Sequence, residues 1–126
     1  MNILNAEPEG YSTEARSWLQ RLGRVEDGPV TREQLIRSVG SCDILIVRLA
    51  HQIDREVIAA GRRLRAIVSA TTGLDHIDLE VAKARGVKVL SLRGETEFLK
   101  TIVATPEHTW ALLLAVVRKI PWAFES

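Results

Sequence analysis

The chain has 126 residues, with 17 Lys and Arg against 16 Asp and Glu and a net charge of +1. That length suits one domain able to bury roughly two-thirds of its unfolded surface. Charges that nearly cancel and lie scattered along the chain provide no basic face for nucleic acid or for an anionic membrane.

MNILNA (1–6) reads as a first strand. Ser12 or Thr13 caps a helix to about Leu22, with Ala15, Trp18, Leu19 and Leu22 on one face, and Gly23 stops it. RVEDG (24–28) offers at most a short second strand. Thr31 opens another helix, Gln34 completes a capping box, and the helix ends near Gly40. DILIVRL (43–49) is a buried third strand. Asp54 caps REVIAA, which Gly61 closes, and LRAIVSA (64–70) is a fourth strand. Asp78 caps LEVAKAR, Gly86 closes it, and VKVLSL (87–92) is a fifth strand. RGETEFLKTIVA (93–104) reads as irregular. Thr105 and Pro106 then open a last helix to about Arg118, with Thr105 as N-cap and Pro106 in the first helical position. Trp110 to Val117 is apolar without a break, and Trp122 and Phe124 extend the apolar tail.

Strands that are apolar on both faces and alternate with helices predict an α/β fold. The expected architecture is a flavodoxin-like, doubly wound, parallel five-stranded sheet of order 2-1-3-4-5, followed by a C-terminal helix. The longest apolar run is too short to span a bilayer, and MNILNAEPEG lacks the marks of a signal peptide. The single cysteine, Cys42, fits a buried inert thiol in a reducing cytoplasm.

Ligands of such sheets bind beyond the carboxyl ends of the strands. There, after the fourth strand, the chain reads SATTGLDHIDLE (69–80). Asp75, His76 and Asp78 lack the spacing of a known metal-ligand set, and neither GxxxxGK[ST] nor GxGxxG occurs in the chain. Two readings stay open. In one the loop is local structure alone: Gly73 turns the chain, Asp75 bonds backbone N–H groups, and Asp78 caps the helix. In the other, free N–H groups around Thr72, Gly73 and Leu74 form a nest for one small anion, with Gly73 allowing close approach.

Three stretches carry a resemblance. ILIVRLAHQIDREVIAAGRRLRAI, ATTGLDHIDLEVAKARGVKV and TPEHTWALLLAVVRKIP, in this order along the chain, resemble the D-isomer-specific 2-hydroxyacid dehydrogenase family, which is phosphoglycerate dehydrogenase-like. The resemblance covers about 43–121 well and the N-terminal strand and helix loosely. It implies two domains around a cleft and hydride transfer between NAD or NADP and a 2-oxo or 2-hydroxy acid. It also implies that the loop holding Thr72, Gly73 and Leu74 donates backbone N–H bonds to the substrate carboxylate. Arg48, at the end of the third strand, matches a family arginine that adds positive potential there. Thr105 matches the start of the linking helix, near where nicotinamide lies. Thr71 departs from the family's usual glycine, and its Cβ restricts which acid fits.

By the same resemblance, residues 1–103 are the substrate-binding domain. Residues 104–126 are a linking helix and tail leading toward an NAD-binding Rossmann domain. The family's GxGxxG and its catalytic Arg, Glu and His have no counterpart in this sequence, so no turnover is expected of this chain alone and no tight cofactor binding. The apolar helix at 105–118 should seek a second copy of the chain as a homodimer. The alternative is a stand-alone module that binds a small carboxylate or dimerises. A phosphoryl-accepting receiver is excluded because Arg48 follows DILIV where its Asp should be.

Overall fold

The computed structural model describes residues 1–28 and 31–118, with only the backbone at Thr105. Among the described residues the elements run β1 (Asn2–Asn5), α1 (Thr13–Leu22), β2 (Arg24–Asp27), α2 (Arg32–Val39), β3 (Ile44–Val47), α3 (Arg55–Ala60), β4 (Ala66–Ser69), α4 (Leu79–Ala84), β5 (Lys88–Ser91), α5 (Thr96–Leu99) and α6 (Ala104–Val117). The strands form one parallel sheet in the order β2-β1-β3-β4-β5, as the alternation of elements predicts. The chain divides into two compact units, Met1–Arg93 and Gly94–Ser126. No helix among the described residues is long and apolar enough to cross a membrane.

In the first unit, register aligns Leu4 with Leu45, Leu45 with Ile67, and Ile67 with Val89, one apolar row across four strands. Leu35 and Val39 of α2, Val57 and Ile58 of α3, and Ala82 of α4 join that row in a single core. Right-handed crossovers explain the layering. The chain steps one way from β1 to β2 and the other way from β2 onward, so α1 lies on one face and α2, α3 and α4 on the other.

The helix starts follow their caps. Ser12 Oγ accepts the Ala15 N–H at 3.0 Å. Thr31 and Gln34 form the reciprocal capping box, at 3.3 and 3.2 Å. Asp54 accepts from Glu56 and Val57, and Asp78 from Val81 at 3.0 Å. Gly86, at φ +70, closes α4 in the left-handed region that glycine adopts freely.

The apolar stripe of α1 stays largely in solvent: Trp18 and Leu22 are each 59% exposed. Its neighbour β2 is an edge strand with three of its four residues exposed, and Trp18 instead stacks under the Arg21 guanidinium. The stretch read as irregular contains α5, a single turn too short to show a helical period. Finally, α6 begins at Ala104 with Val103 as N-cap, so Thr105 is not the cap and Pro106 is the third helical residue. Proline lacks an N–H that no residue of the first turn could use, so it fits any of those positions. Trp122 and Phe124 lie outside the described residues.

Asp43 ties the strands together at their amino ends. Its carboxylate accepts the Asn2 N–H at 2.7 Å and faces Arg63 at 3.1 Å. The Asn2 N–H first, then Arg63, outweigh the effect of burial and hold the carboxyl below its usual range. At Cys42, burial first and then Asp43 push the thiol up to about 11, so it stays protonated and inert at neutral pH. A depressed carboxyl stabilises the fold above its unfolded pKa, and that contribution is lost as pH falls through the folded value. Urea midpoints measured from pH 6 downward should therefore fall more steeply below about pH 4 in the wild-type chain than in Asp43→Asn. Parallel curves would count against this role.

Candidate functional site

Val47 pairs with Ser69 at the end of the β3–β4 ladder, so Arg48 and Ala70 leave the sheet side by side. The loop after β4 is anchored at both ends. Leu74 packs on the core and Ile77 lies within it. Ile53 donates to the His76 carbonyl at 2.7 Å, and Asp78 donates to the Ile53 carbonyl at 2.9 Å. The Ile77 N–H donates to the Leu74 carbonyl at 2.9 Å, and Leu92 donates to the Thr71 carbonyl at 3.1 Å.

A chain of side-chain hydrogen bonds sets the shape of the loop. His76 Nε2 lies 3.2 Å from Ser69 Oγ, Ser69 Oγ lies 2.7 Å from Thr71 Oγ1, and Thr71 Oγ1 donates to the Gly73 carbonyl at 2.8 Å. Ser69 and His76 are buried. The direction of donation follows from proton counting. A carbonyl only accepts, so the Thr71 hydroxyl spends its one proton on Gly73 and must accept from Ser69. Ser69 then accepts from His76, which carries a proton on Nε2. The sequence reading missed this network. Its signal is a polar residue, His76, placed against the apolar Ile77 just where the loop re-enters the core.

The three candidate donors stand on this support. Thr72 and Gly73 are exposed and Leu74 is half-buried. Among the described residues, the backbone N–H groups of Thr72, Gly73 and Leu74 have no acceptor within the chain. Two details of the purely local reading do not hold. Gly73 is not in the left-handed region, so its turn does not demand glycine. A Cβ there would meet only Asp75 Oδ2 at 3.8 Å, which leaves open space above the backbone. The turn is closed by backbone rather than by Asp75, while Asp78 caps α4 as expected.

Arg48 lies at the carboxyl end of β3, but its guanidinium donates to the Glu9 carbonyl at 3.1 Å rather than reaching into the loop after β4. Its backbone N–H, with those of Leu49 and Ala50, goes to the Glu7 carboxylate. Glu7, Arg48, Ala50 and His51 border a cavity of about 250 Å³ at this edge. Thr105 belongs to the second unit, in the first turn of α6. Among the described residues no three His, Cys, Asp or Glu groups converge as a metal site requires.

The residues present do not fit a dinucleotide. A doubly wound sheet seats pyrophosphate on the glycine-rich loop after its first strand. Here that loop carries Gly10 alone and brings up Glu7 and Glu9, whose charge opposes a phosphate.

If Thr71 anchors the loop through its hydroxyl, Thr71→Val should lower stability by about 1–3 kcal/mol in urea unfolding. The imidazole nitrogen spectrum of the wild-type chain should show His76 protonated at Nε2. A stability change near zero, or a neutral ring protonated only at Nδ1, would contradict the network.

The sequence pattern of the "D-isomer specific 2-hydroxyacid dehydrogenase, catalytic domain" family matches residues 7–96. The D-3-phosphoglycerate dehydrogenase of Archaeoglobus fulgidus is 38% identical over 129 residues, covering 100% of this chain and 23% of its own length. That of Mycobacterium tuberculosis is 39% identical over 124 residues, covering 98% and 22%. The structure of an acyclic imino acid reductase in complex with NADPH and D-Arg aligns at a TM-score of 0.80 and 29% identity, over 99% of this chain and 40% of its own. This chain thus spans less than a quarter of the length of the two dehydrogenases. The matched segment runs from Glu7 through the loop after β4 to the start of α5, and the chain belongs to the D-isomer specific 2-hydroxyacid dehydrogenase catalytic-domain family.

Proposed function

We propose that this chain is the substrate-binding portion of an NAD(P)-dependent D-2-hydroxyacid dehydrogenase, and that Thr72, Gly73 and Leu74 hold the carboxylate of a small 2-oxo or 2-hydroxy acid. The observation that carries the reading is the row of N–H groups at 72–74 with no acceptor among the described residues, above the open face of Gly73. Two or three such donors suit one carboxylate. Arg48, next to this loop at the sheet edge, adds positive potential. Hydride transfer also needs a cofactor carbon held against the substrate and a positioned acid or base. In this reading those come from parts of the longer relatives that this chain does not match, with residues 104–126 as the link and Thr105 near the nicotinamide. A cytoplasmic home suits the single buried thiol, Cys42.

Backbone amide spectra of the labelled chain, titrated with pyruvate and with its neutral methyl ester, test the site. Thr72, Gly73 and Leu74 should respond saturably to pyruvate and not to the ester. Gly73→Ala should weaken binding by roughly tenfold or more while leaving stability within about 0.5 kcal/mol of wild type. Equal pyruvate affinity in the variant would sink the assignment.

The same proposal gives α6 a partner. The helix is apolar around its circumference, with Trp110 63% and Val116 66% exposed. A second copy of the chain would cover it as a homodimer. Sedimentation equilibrium should show a concentration-dependent rise toward twice the chain mass, abolished by Leu113→Glu. A wild-type chain that stays monomeric at about 1 mM would remove this part of the reading.

A further inference from the structure

The turn after β3 is a second nest, and its occupant is built in. Three consecutive backbone N–H groups meet one side-chain carboxylate. Arg48 and Ala50 donate to Glu7 Oε1 at 2.9 and 3.2 Å, and Leu49 donates to Oε2 at 3.2 Å. Glu7 opens the loop after β1, 41 residues before Arg48. The tether therefore joins the carboxyl ends of β1 and β3, where the order of the sheet reverses. Arg48 Nη1 reaches back to the Glu9 carbonyl at 3.1 Å, so both the backbone and the side chain of Arg48 are fixed from the same loop.

Hydrogen bonds from backbone N–H groups to a charged acceptor are roughly twice as strong as neutral ones. The loops after β3 and β4 offer the same group, a row of backbone donors. One row is filled by the chain's own carboxylate, and the other has no acceptor among the described residues.

We propose that Glu7 is a positioning residue. Its carboxylate occupies the Arg48–Ala50 nest, holds Arg48 at the ligand edge, and keeps that nest from taking a carboxylate from solution. The consequence for ligand binding rests on the acid-binding reading of Thr72–Leu74; the tether does not.

Amide spectra of the wild-type chain, Glu7→Gln and Glu7→Ala, with and without sodium acetate, test it. In Glu7→Ala the amides of Arg48, Leu49 and Ala50 should shift and exchange roughly tenfold faster, and millimolar acetate should return them toward their wild-type positions. In the wild-type chain acetate should leave these three amides unmoved. Glu7→Gln keeps the volume but not the charge, so it should show the faster exchange without rescue by acetate. Wild-type exchange in either variant, or no acetate response at 48–50 in Glu7→Ala, overturns the proposal. If Glu7→Ala does not fold, exchange in Glu7→Gln decides.

Removal of the Glu7 charge by itself favours an anion, so the positioning role predicts the opposite sign: pyruvate affinity at Thr72–Leu74 should fall about threefold or more in Glu7→Gln as Arg48 loosens. Unchanged affinity overturns the positioning role. If pyruvate fails to move Thr72–Leu74 even in the wild-type chain, the substrate reading fails, and the exchange and acetate arms judge the tether alone.

Discussion

Val47 against Ser69 is the last rung between β3 and β4, and the parallel direction of that ladder decides where ligand chemistry can sit. In a parallel sheet every crossover returns the chain to the amino edge before the next strand begins, so all strands end, and the following helices start, at the opposite edge. Helix starts and irregular turns both bring unsatisfied N–H groups. The carboxyl edge is therefore rich in donors before any side chain is chosen. Ser12, Asp54 and Asp78 each accept donors at a helix start. Glu7 takes three more from the turn after β3. The row at Thr72–Leu74 is left over by that accounting, and a donor row that the protein leaves open in exposed backbone is what an anionic ligand can use.

Leaving those donors open requires that the loop hold its shape by other means. The buried Ser69 and His76 would be costly without partners, and the relay through Thr71 satisfies them. It ends on the Gly73 carbonyl, which shares a peptide group with the Leu74 N–H. Donation to that carbonyl polarises the peptide and makes the Leu74 N–H a better donor. The Cβ at residue 71, where the family pattern usually has glycine, is therefore more than a restriction on the backbone. It carries the hydroxyl that completes the relay.

Short-range chemistry was readable from the sequence. The capping box at Thr31 and Gln34, the Asp caps at 54 and 78, and the glycine closures all act within four residues and leave local marks. Strand order followed from the alternation of elements and the handedness of crossovers. What escaped was of two kinds. Some signals were too short, as with the single turn of α5, or degenerate, as with a proline that fits several places in the first turn of α6. Others are made only by the fold. Glu7 meets residues 41 to 43 positions away, and no periodicity announces that. Trp18 and Leu22 lie on the apolar stripe that the helical period marks, but the edge strand beside them offers too little surface to cover it.

The β1–β3 pair shows why two acidic residues sit where they do. Its register is short, Ile3 with Ile44, Leu4 with Leu45 and Asn5 with Ile46, yet it is the seam at which the sheet changes winding direction. At such a seam the helices that follow the two strands lie on opposite faces, which opens a crevice at the carboxyl edge. Each end of the seam is closed by a carboxylate that accepts backbone N–H groups from across it. Asp43, just before β3, takes the Asn2 N–H at the start of β1. Glu7, just after β1, takes Arg48, Leu49 and Ala50 at the end of β3. One clamp comes from each strand, at opposite ends, so neither strand can slide along the other without breaking charge-assisted bonds. The crevice that a doubly wound sheet opens at this point thus stays in register while the neighbouring loop remains free to meet a ligand.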